Sequence, residues 1–330
     1  MDNAFTALVL EQRADTVSAA FQNLQREALP EADVLVRVAY SSLNYKDGLA
    51  ITGRNKVVRR YPMVPGIDFA GTVEQSQSSS YQPGDRVLLT GWGVGERHWG
   101  GHAQFARVES AWLVPVPASL SLEEAMGIGT AGFTAMLCLM ALEAHGLAPG
   151  EREVIVTGAA GGVGSLAVAL LAQRGYQVVA ETGRTDAHEY LRGLGAHKLL
   201  DRAALAEPGG PLGTARWAGA VDTVGGAMLA GVLRTLAYGG SVAACGNAGG
   251  MDVHTTILPF ILRAANLLGI DSLPVPLEQR RQAWDRLARD VPRDALKRIV
   301  RVAPLRDLPA LAEEIVGGRI RGRVVIDVNA

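Results

Sequence analysis

The sequence predicts an α/β protein that combines a six-stranded, doubly wound parallel sheet with a second, β-rich domain. Two observations predict the parallel sheet: short apolar strands alternate with helical patterns between about residues 121 and 270, and a glycine-rich turn joins the first strand to its helix. A third observation predicts the β-rich part, because residues 1 to about 120 hold short strands at close spacing. The chain of 330 residues is long enough for roughly two domains.

Turn signals divide the N-terminal part of the chain. Residues 33–39 alternate between apolar and polar side chains, as in a half-buried strand. Pro65-Gly66 leads into a strand at residues 67–73, and Pro83-Gly84 precedes another at residues 86–89. Such closely spaced short strands are typical of a small barrel or sandwich.

An uncharged segment at residues 125–142 is barely long enough to cross a bilayer. It contains several glycines and threonines, and the residues from Ser121 to Glu124 form the pattern of a capping box. We therefore expect a buried helix in a soluble protein, and no other segment indicates a membrane.

A run of β-branched residues at 154–157 stops at a glycine cluster, and an apolar helical pattern follows at residues 165–172. The cluster fits a dinucleotide-binding pattern in which Ala159 replaces the first glycine and Gly161 and Gly164 follow. Gly161 would let the backbone approach a pyrophosphate, and Gly164 would let the helix pack closely on its strand. The N–H groups and the dipole at the start of the helix would hold phosphates. The alternative is an ordinary strand-to-helix turn.

This part of the chain holds six strand candidates, and helical patterns separate most of them. In a doubly wound sheet a ligand binds at the carboxyl ends of the strands, which is where the glycine turn lies. The strands are predicted at residues 154–157, 177–181, 198–200, 219–222, 240–245 and 266–270, and the helices at 187–194, 228–236 and 257–264.

The C-terminal part contains a predicted polar helix at residues 277–290 and a last strand at residues 323–328. No parallel crossover is apparent before this strand, so we expect it to return to the β-rich domain. The predicted dinucleotide-binding domain therefore covers residues 122–294, and the β-rich domain covers residues 1–121 and 295–330.

The end of the second strand indicates which nucleotide binds. An acid about 20 residues after the glycines would bind the ribose 2′-hydroxyl of NADH, and Glu181 is a candidate. However, Thr182 and Gly183 lengthen the turn, and Arg184 stands where a cation would meet a 2′-phosphate. Arg202, past the third strand, would add a second cation. We therefore favour NADPH, and the alternative is that both arginines are solvated.

Composition argues against several classes of protein. Hydrophobic residues make up 48% of the chain and charged residues 20%, so a large core is expected and disorder is not. The formal net charge of -1 gives no attraction to nucleic acid or to an anionic membrane. Two cysteines, Cys138 and Cys245, cannot form a disulfide framework or a four-cysteine zinc site, and they suit a reducing compartment.

Taken together, the motifs resemble the medium-chain dehydrogenase/reductase superfamily over essentially the whole chain. The resemblance rests on Pro-Gly-Ile-Asp from Pro65, Pro-Gly-Asp-Arg-Val from Pro83, the glycine turn, and Gly-Arg-Ile-Arg-Gly at residues 318–322. It implies a GroES-like domain beside a Rossmann domain. Asn44 and Ile67 occupy the places where zinc members of the superfamily carry Cys and His ligands, so we expect no metal.

Within the zinc-free branch, the chain resembles the NADPH-dependent acryloyl-CoA reductase family. This resemblance implies reduction of the double bond of acryloyl-CoA to give propanoyl-CoA, in the cytoplasm and as a homodimer. The motifs that carry it are Ser-Leu-Asn-Tyr-Lys-Asp at 42–47, Thr-Gly-Arg at 182–184 with His-Glu-Tyr-Leu at 188–191, and Pro-Phe-Ile-Leu-Arg at 259–263 with Leu-Gly-Ile-Asp-Ser at 268–272.

The same resemblance implies a set of cofactor contacts. Two positions depart from the family pattern, because Asn247 stands where an apolar residue is common and Arg319 where Asn is common. Backbone contacts would survive both changes. The implied contacts are Tyr45, Ala160, Gly161, Gly162, Val163, Thr182, Gly183, Arg184, Arg202, Asn247, Ile261, Ser272 and Arg319.

Hydride transfer to the β-carbon of an enoyl thioester builds charge on the thioester oxygen, which hydrogen-bond donors must stabilise when no metal is present. Tyr45, in a loop expected at residues 44–47, is the candidate for positioning the nicotinamide or the substrate, and the alternative is an aromatic side chain that only packs. Arg59 and Arg60 lie in a basic segment and would bind the phosphates of CoA, unless they are simply solvated.

The remaining polar residues suggest no catalytic group. Asp47 and Asp68 are expected to be caps or turn formers, and His98 and His102 to lie in a surface turn. Two other functions stay open on the same fold: a zinc-free quinone or alkenal reductase, and a protein that binds NADPH as a sensor without turnover.

Overall fold

The computed structural model describes residues 3–207 and 209–330, which form fifteen strands and ten α-helices. The strands are β1 (Ala4–Arg13), β2 (Thr16–Gln25), β3 (Val34–Leu43), β4 (Asp68–Ser76), β5 (Arg86–Thr90), β6 (Phe105–Val108), β7 (Val114–Pro115), β8 (Val154–Val156), β9 (Val178–Glu181), β10 (Lys198–Leu200), β11 (Trp217–Asp222), β12 (Leu236–Ala244), β13 (Asn266–Gly269), β14 (Val300–Pro304) and β15 (Arg323–Asp327). The helices are α1 (Tyr45–Thr52), α2 (Leu122–Ala144), α3 (Gly162–Gln173), α4 (His188–Gly193), α5 (Ala203–Ala206), α6 (Gly226–Thr235), α7 (Leu258–Arg263), α8 (Leu277–Asp290), α9 (Arg293–Ile299) and α10 (Leu308–Val316).

The chain divides into two compact units, which are described separately. The first unit holds the residues up to Thr130 together with Leu273–Ala288 and Val300–Ala330, and the second holds Ala131–Ser272 and Arg289–Ile299. The predicted polar helix is α8, and most of it belongs to the first unit. The functional domain boundaries given above stay a prediction.

The second unit contains a six-stranded sheet in the order β10-β9-β8-β11-β12-β13, with every pair of neighbours parallel. The order grows outward from β8 in both directions, as in a doubly wound sheet. Its strands are short apolar runs because helices cover both faces of such a sheet. Ile155, Val179, Ala220 and Val242, each from a different strand, are fully buried in its core.

The first unit contains a two-stranded hairpin, β1-β2, and a seven-stranded sheet in which β3 lies centrally and β6 makes a side pairing with β3. Most neighbours in this sheet are antiparallel. Val36, Phe69, Val87 and Ile326 lie in its core. The predicted fold class, a parallel doubly wound sheet with a separate β-rich part, is therefore confirmed.

The last strand, β15, pairs with β3, which confirms that it returns to the first unit. The prediction that no parallel crossover precedes it was wrong, because β15 also pairs in parallel with β14 and helix α10 connects the two. The sequence signal of β14 is weak because it is an edge strand whose exposed positions, Arg301 and Val302, are adjacent and do not alternate.

Helix α2 contains the uncharged segment. Its capping box is confirmed, since the Glu124 N–H donates to the Ser121 hydroxyl (3.0 Å) and the Ser121 N–H to the Glu124 carboxylate (2.8 Å). By length and composition alone, α2 is apolar enough to cross a membrane, but 83% of its most apolar window is buried inside the structure. The helix is also broken at Gly129, whose φ of 49° and ψ of -156° are not helical.

Candidate functional site

The glycine turn after β8 contains two positions that only glycine can occupy without strain or overlap. Gly158 has a φ of +59°, and a Cβ there would lie 2.4 Å from the Thr223 hydroxyl oxygen. A Cβ on Gly164 would lie 2.4 Å from the carbonyl oxygen of Gly158, so the helix packs against its own strand through this position. Gly161 precedes the first residue of α3 and is exposed, and a Cβ there would meet only the Gly158 oxygen at 3.4 Å.

The predicted phosphate contacts therefore lie at the start of a helix, where the first N–H groups have no partner within the helix. Gly162 and Val163 are the first two residues of α3 and are partly exposed, whereas Ala160 is buried. The turn presents backbone donors at the carboxyl edge of the parallel sheet, and such a site suits an anionic group.

Glu181, the last residue of β9, is fully buried against this turn. One carboxylate oxygen accepts a hydrogen bond from the Gly158 N–H (2.8 Å), and the other lies 3.9 Å from Nε of Arg202. Burial raises the pKa of Glu181 above its usual value. One carboxylate oxygen is thus engaged by the turn and the whole side chain is buried, which argues against its binding a ribose hydroxyl.

Two cations follow β9 and β10. Arg184 is partly exposed and lies 3.1 Å from the Asp186 carboxylate, an exposed contact that contributes little to stability. The Arg202 side chain is largely exposed, and its Nε would lie 3.5 Å from a Cβ placed on Gly183. Thr182, two residues before Arg184, is buried, and its hydroxyl accepts from the Arg184 N–H (3.1 Å). The arrangement brings two guanidinium groups to one edge of the sheet, where a dianion would be bound.

Three further predicted contacts of the second unit lie outside the glycine turn. Asn247 follows β12 and is exposed beside Gly225, near the end of β11, and Ser272 follows β13. Ile261 is an exposed residue of α7, and its contact with the cofactor stays a prediction.

In the first unit, Tyr45 is the first residue of α1 and its side chain is 43% exposed. The expectation that residues 44–47 form a loop was wrong, because Asn44 caps a helix and its N–H donates to the Asp47 carboxylate (2.9 Å). The signal was present in the sequence, since an Asn followed three residues later by an acid is a capping pattern. The cap fixes the residue that follows Asn44, which is Tyr45.

A buried polar network surrounds this cap. The Asn44 amide nitrogen donates to Asp47 (3.1 Å) and to Asp68 (3.1 Å), and the Ser42 hydroxyl donates to Asp68 (2.5 Å). Arg323 donates to the Asn44 amide oxygen (2.9 Å) and to the Ser42 hydroxyl (2.6 Å). Sequence reasoning missed Arg323, although a lone charge that opens an apolar strand is a signal for a buried ionic contact.

Burial, followed by repulsion from Asp68, raises the pKa of Asp47 to about 7. The interpretation of Asp47 as a cap holds, and its carboxylate also accepts from the Ile67 N–H (2.9 Å). Asn44 and Ile67, which stand where zinc ligands would be, are both used by this network. Within the described ranges, no group of three or more His, Cys, Asp or Glu side chains is arranged to hold a metal ion.

His102 does not lie in a surface turn, as expected from the sequence, but is fully buried. Its Nε2 lies 3.3 Å from the Ser42 carbonyl, and burial lowers its pKa to about 4. A Cβ on Gly66 would meet the His102 backbone at 2.6 Å, so the two glycine-containing segments pack directly on each other. No local pattern in the sequence predicts this long-range packing.

The remaining predicted residues of the first unit are at its surface. Arg59 and Arg60 are exposed in an irregular segment after α1, whereas Arg54 in the same segment pairs with Glu313 (2.6 Å). Arg319 is exposed after α10, and its N–H donates to a carbonyl of that helix. Helix α10 packs on α1, so Arg319 and Tyr45 lie on neighbouring elements.

Comparison with known proteins identifies both parts of the chain. The family described as the alcohol dehydrogenase GroES-like domain matches residues 30–118, and the family described as zinc-binding dehydrogenase matches residues 162–289. Acrylyl-CoA reductase AcuI of Ruegeria pomeroyi is 54% identical over 329 residues, covering 99% of this chain and all of that protein.

Two solved structures are similar over the full length and differ in their cofactor. YhdH of Escherichia coli with bound NADPH has a TM-score of 0.96 and 54% identity, and the match covers 98% of this chain and 100% of that one. YhfP of Bacillus subtilis with bound NAD has a TM-score of 0.96 and 45% identity, covering 98% and 99%. YhfP of Bacillus subtilis is described as a putative quinone oxidoreductase.

Proposed function

We propose, from the premise that this chain belongs to the acrylyl-CoA reductase AcuI family of the medium-chain dehydrogenase/reductase superfamily, that it reduces the carbon–carbon double bond of a short enoyl-CoA. The substrate that the family favours is acryloyl-CoA, and the product is propanoyl-CoA. The observation that carries the proposal is the full-length similarity to that reductase.

We assign NADPH as the cofactor, and the residues at the carboxyl edge of the parallel sheet fit it. Gly161 leaves the backbone open at the start of α3, where phosphates would bind. Arg184 and Arg202 would bind the 2′-phosphate, because Glu181 is buried and engaged by Gly158. When bound, the cofactor supplies the hydride for the β-carbon of the substrate.

Tyr45 would position the nicotinamide or the acyl group. Its partial exposure supports contact with a ligand over a role in packing alone. The charge that develops on the thioester oxygen would be stabilised by hydrogen-bond donors and not by a metal, since Asn44 and Ile67 replace the zinc ligands. Arg59 and Arg60 would bind the phosphates of CoA, because both are exposed and positively charged.

We also propose that the protein acts as a homodimer in the cytoplasm. The end of the second unit's sheet supports self-association, because β13 is an edge strand and Leu267 on it is 46% exposed. Ile257, Ile261 and Leu262, on or beside α7, are also large exposed apolar side chains. Two reduced cysteines, Cys138 and Cys245, suit a reducing compartment.

The rival function is that of a quinone or alkenal reductase, which the name of the Bacillus relative favours. The test is the loss of NADPH absorbance with acryloyl-CoA, crotonyl-CoA and a benzoquinone, each at a series of concentrations with the same enzyme sample. We expect the highest kcat/KM for acryloyl-CoA. A higher kcat/KM for the quinone would contradict the proposal, and NADPH binding without turnover of any of the three would favour a sensor.

A further inference from the structure

Arg323, the first residue of β15, is only 3% exposed yet carries a charge. An arginine is almost never buried in this way unless its donors are used. Here all three guanidinium nitrogens donate. Their acceptors are the Gly127 carbonyl for Nε (3.2 Å), the Asn44 amide and Leu43 carbonyl for Nη1 (2.9 and 3.4 Å), and the Ser42 hydroxyl and Met126 carbonyl for Nη2 (2.6 and 3.4 Å).

The same group of residues holds the break in α2. Arg323 donates to the carbonyls of Met126 and Gly127, which precede the break, and Asp68 accepts from the Thr130 N–H (2.8 Å), which follows it. A cation near terminal carbonyls and an acid near a terminal N–H are both favourable. At the break itself, a Cβ on Gly129 would lie 2.6 Å from Nη2 of Arg323.

We infer that Arg323 is a positioning residue for the proposed reaction, acting on Tyr45 through the Asn44 amide. Asn44 is held from both sides. Its amide oxygen accepts from Arg323, and its amide nitrogen donates to Asp47 and Asp68. An amide whose oxygen and nitrogen are both bonded has one orientation, so the cap of α1 and the direction in which Tyr45 leaves the backbone are fixed together.

This inference rests on the proposed role of Tyr45, and a double-mutant cycle tests it. Arg323→Lys keeps the charge but cannot reproduce the fork of donors. We expect it to weaken NADPH binding and lower kcat, by about 10-fold or more for kcat, because small misplacements of a positioning group are costly. In the Arg323→Lys background, Tyr45→Ala should have little further effect, whereas in the wild type it should have a large one.

Arg280→Lys is the matched control. Arg280 is a fully buried arginine of the same unit that donates to the carbonyl and hydroxyl of Thr90 (2.8 and 2.7 Å). Thr90 pairs with Asp68 in the sheet, but these two bonds do not involve Asn44. Both arginine variants should lower the melting temperature, but only Arg323→Lys should change kcat and the dissociation constant of NADPH.

A second pair of variants, with smaller changes, tests the inference if Arg323→Lys does not fold. Ser42→Ala removes the hydroxyl between Arg323 and Asp68. Ser41→Ala, its neighbour in β3, removes an equally buried hydroxyl that donates to the Asp68 carbonyl (2.7 Å). Only Ser42→Ala should lower kcat, by about 3-fold or more, and its effect should also disappear in the Tyr45→Ala background.

Additive effects of Arg323→Lys and Tyr45→Ala, or equal kinetic losses in the Arg280→Lys control, would overturn the inference. An inert Tyr45→Ala would overturn it as well. Failure of the proposed function is distinguishable, because wild-type protein would then bind NADPH without reducing acryloyl-CoA, and the cycle is still read from the NADPH dissociation constants.

Discussion

At the scale of the residue, Arg184 is the side chain on which the proposed choice of nucleotide rests. Replacing it with Ala removes a charged donor for the 2′-phosphate, and such a contact contributes roughly 1.5–3 kcal/mol. We therefore expect the KM for NADPH to rise about 10- to 100-fold and that for NADH to change little. Steady-state kinetics with both nucleotides measure this. Arg192→Ala, an exposed arginine on the nearby α4, should leave both values unchanged. Equal increases for the two nucleotides after Arg184→Ala would contradict the assignment.

His102 makes stability depend on acid. Its folded-state pKa of about 4 lies below the unfolded value of 6.5, so the folded protein binds fewer protons between these values. The contribution of His102 to the free energy of unfolding is therefore greatest above pH 6.5. It decreases as the pH falls towards about 4, by roughly 3 kcal/mol in all. Asp47, with its pKa raised to about 7, acts in the opposite sense, losing stability as the pH rises from 3.8 to about 7. The charged group that acts on both His102 and Asp47 is Asp68, and Arg323 interacts with Asp47.

Because the pH dependences due to His102 and Asp47 oppose each other, the effect of His102 is measured by comparing wild type with a His102 variant. The melting temperature of wild type minus that of His102→Gln should fall as the pH is lowered from 6.5 to about 4. His145→Gln, which removes an exposed imidazole, is the control for a histidine-to-glutamine change at the surface. A flat difference for His102→Gln would show that the burial of the neutral imidazole has no energetic consequence.

At the scale of the element, the parallel strands could be predicted because each is a short apolar run bounded by turn residues. The break in α2 could not, because residues 125–142 read as one continuous apolar helix. The backbone groups on either side of the break bond to Arg323 and Asp68, both distant in sequence. The pairing of β14 was missed for a similar reason, since an edge strand needs no alternation of buried side chains to be stable in the sheet.

Gly129→Ala tests the origin of this break. Gly129 and Gly146 both have positive φ, but a Cβ at Gly146 would have nothing within 4 Å, whereas one at Gly129 would lie 2.6 Å from Arg323 and 2.9 Å from Asp68. Gly146→Ala should therefore cost about 1 kcal/mol of unfolding free energy for backbone strain. Gly129→Ala should cost a further ~1–3 kcal/mol, as measured by denaturant unfolding, because the overlap adds to a backbone conformation with a ψ of -156° that is nearly exclusive to glycine. Equal losses of unfolding free energy in the two variants would mean that Arg323 and Asp68 move aside at little energetic cost.

The basic segment after α1 gives a prediction about the substrate. Changing Arg59 and Arg60 together to Ala should raise the KM for acryloyl-CoA by about 10-fold, because two charge-assisted contacts to phosphate are lost. The KM for a benzoquinone, which has no phosphate, should not change. The control is the pair Arg13→Ala and Arg306→Ala, two exposed arginines elsewhere in the first unit. If acryloyl-CoA and the quinone lose affinity equally, the segment does not bind CoA.

At the scale of the whole molecule, the fold class followed from the sequence because hydrophobic patterning is local, while the polar network did not because its members come from β3, β4, α1 and β15. The cofactor contacts could be predicted in part. Gly161 and Arg184 could be placed on a strand end from the sequence alone, and the burial of Glu181, which supports NADPH over NADH, needed the three-dimensional packing. Contacts between side chains that are distant in the chain are therefore the part that local sequence patterns do not predict.

The proposed dimer is the property of the whole molecule that a single substitution tests. Leu267 on β13 and Val302 on β14 are both apolar, 46% and 48% exposed, and each lies on a strand at the end of its sheet. If β13 forms the dimer contact, Leu267→Glu places a charge in an apolar interface and should shift the molar mass in solution from dimer to monomer, whereas Val302→Glu should not. Light scattering after size-exclusion chromatography measures both. Dissociation by Val302→Glu alone would place the dimer contact elsewhere. A monomeric wild-type protein would contradict the proposed dimer. Since neither substitution touches the glycine turn or α1, dissociation by Leu267→Glu with unchanged kcat would further show that each protomer works independently.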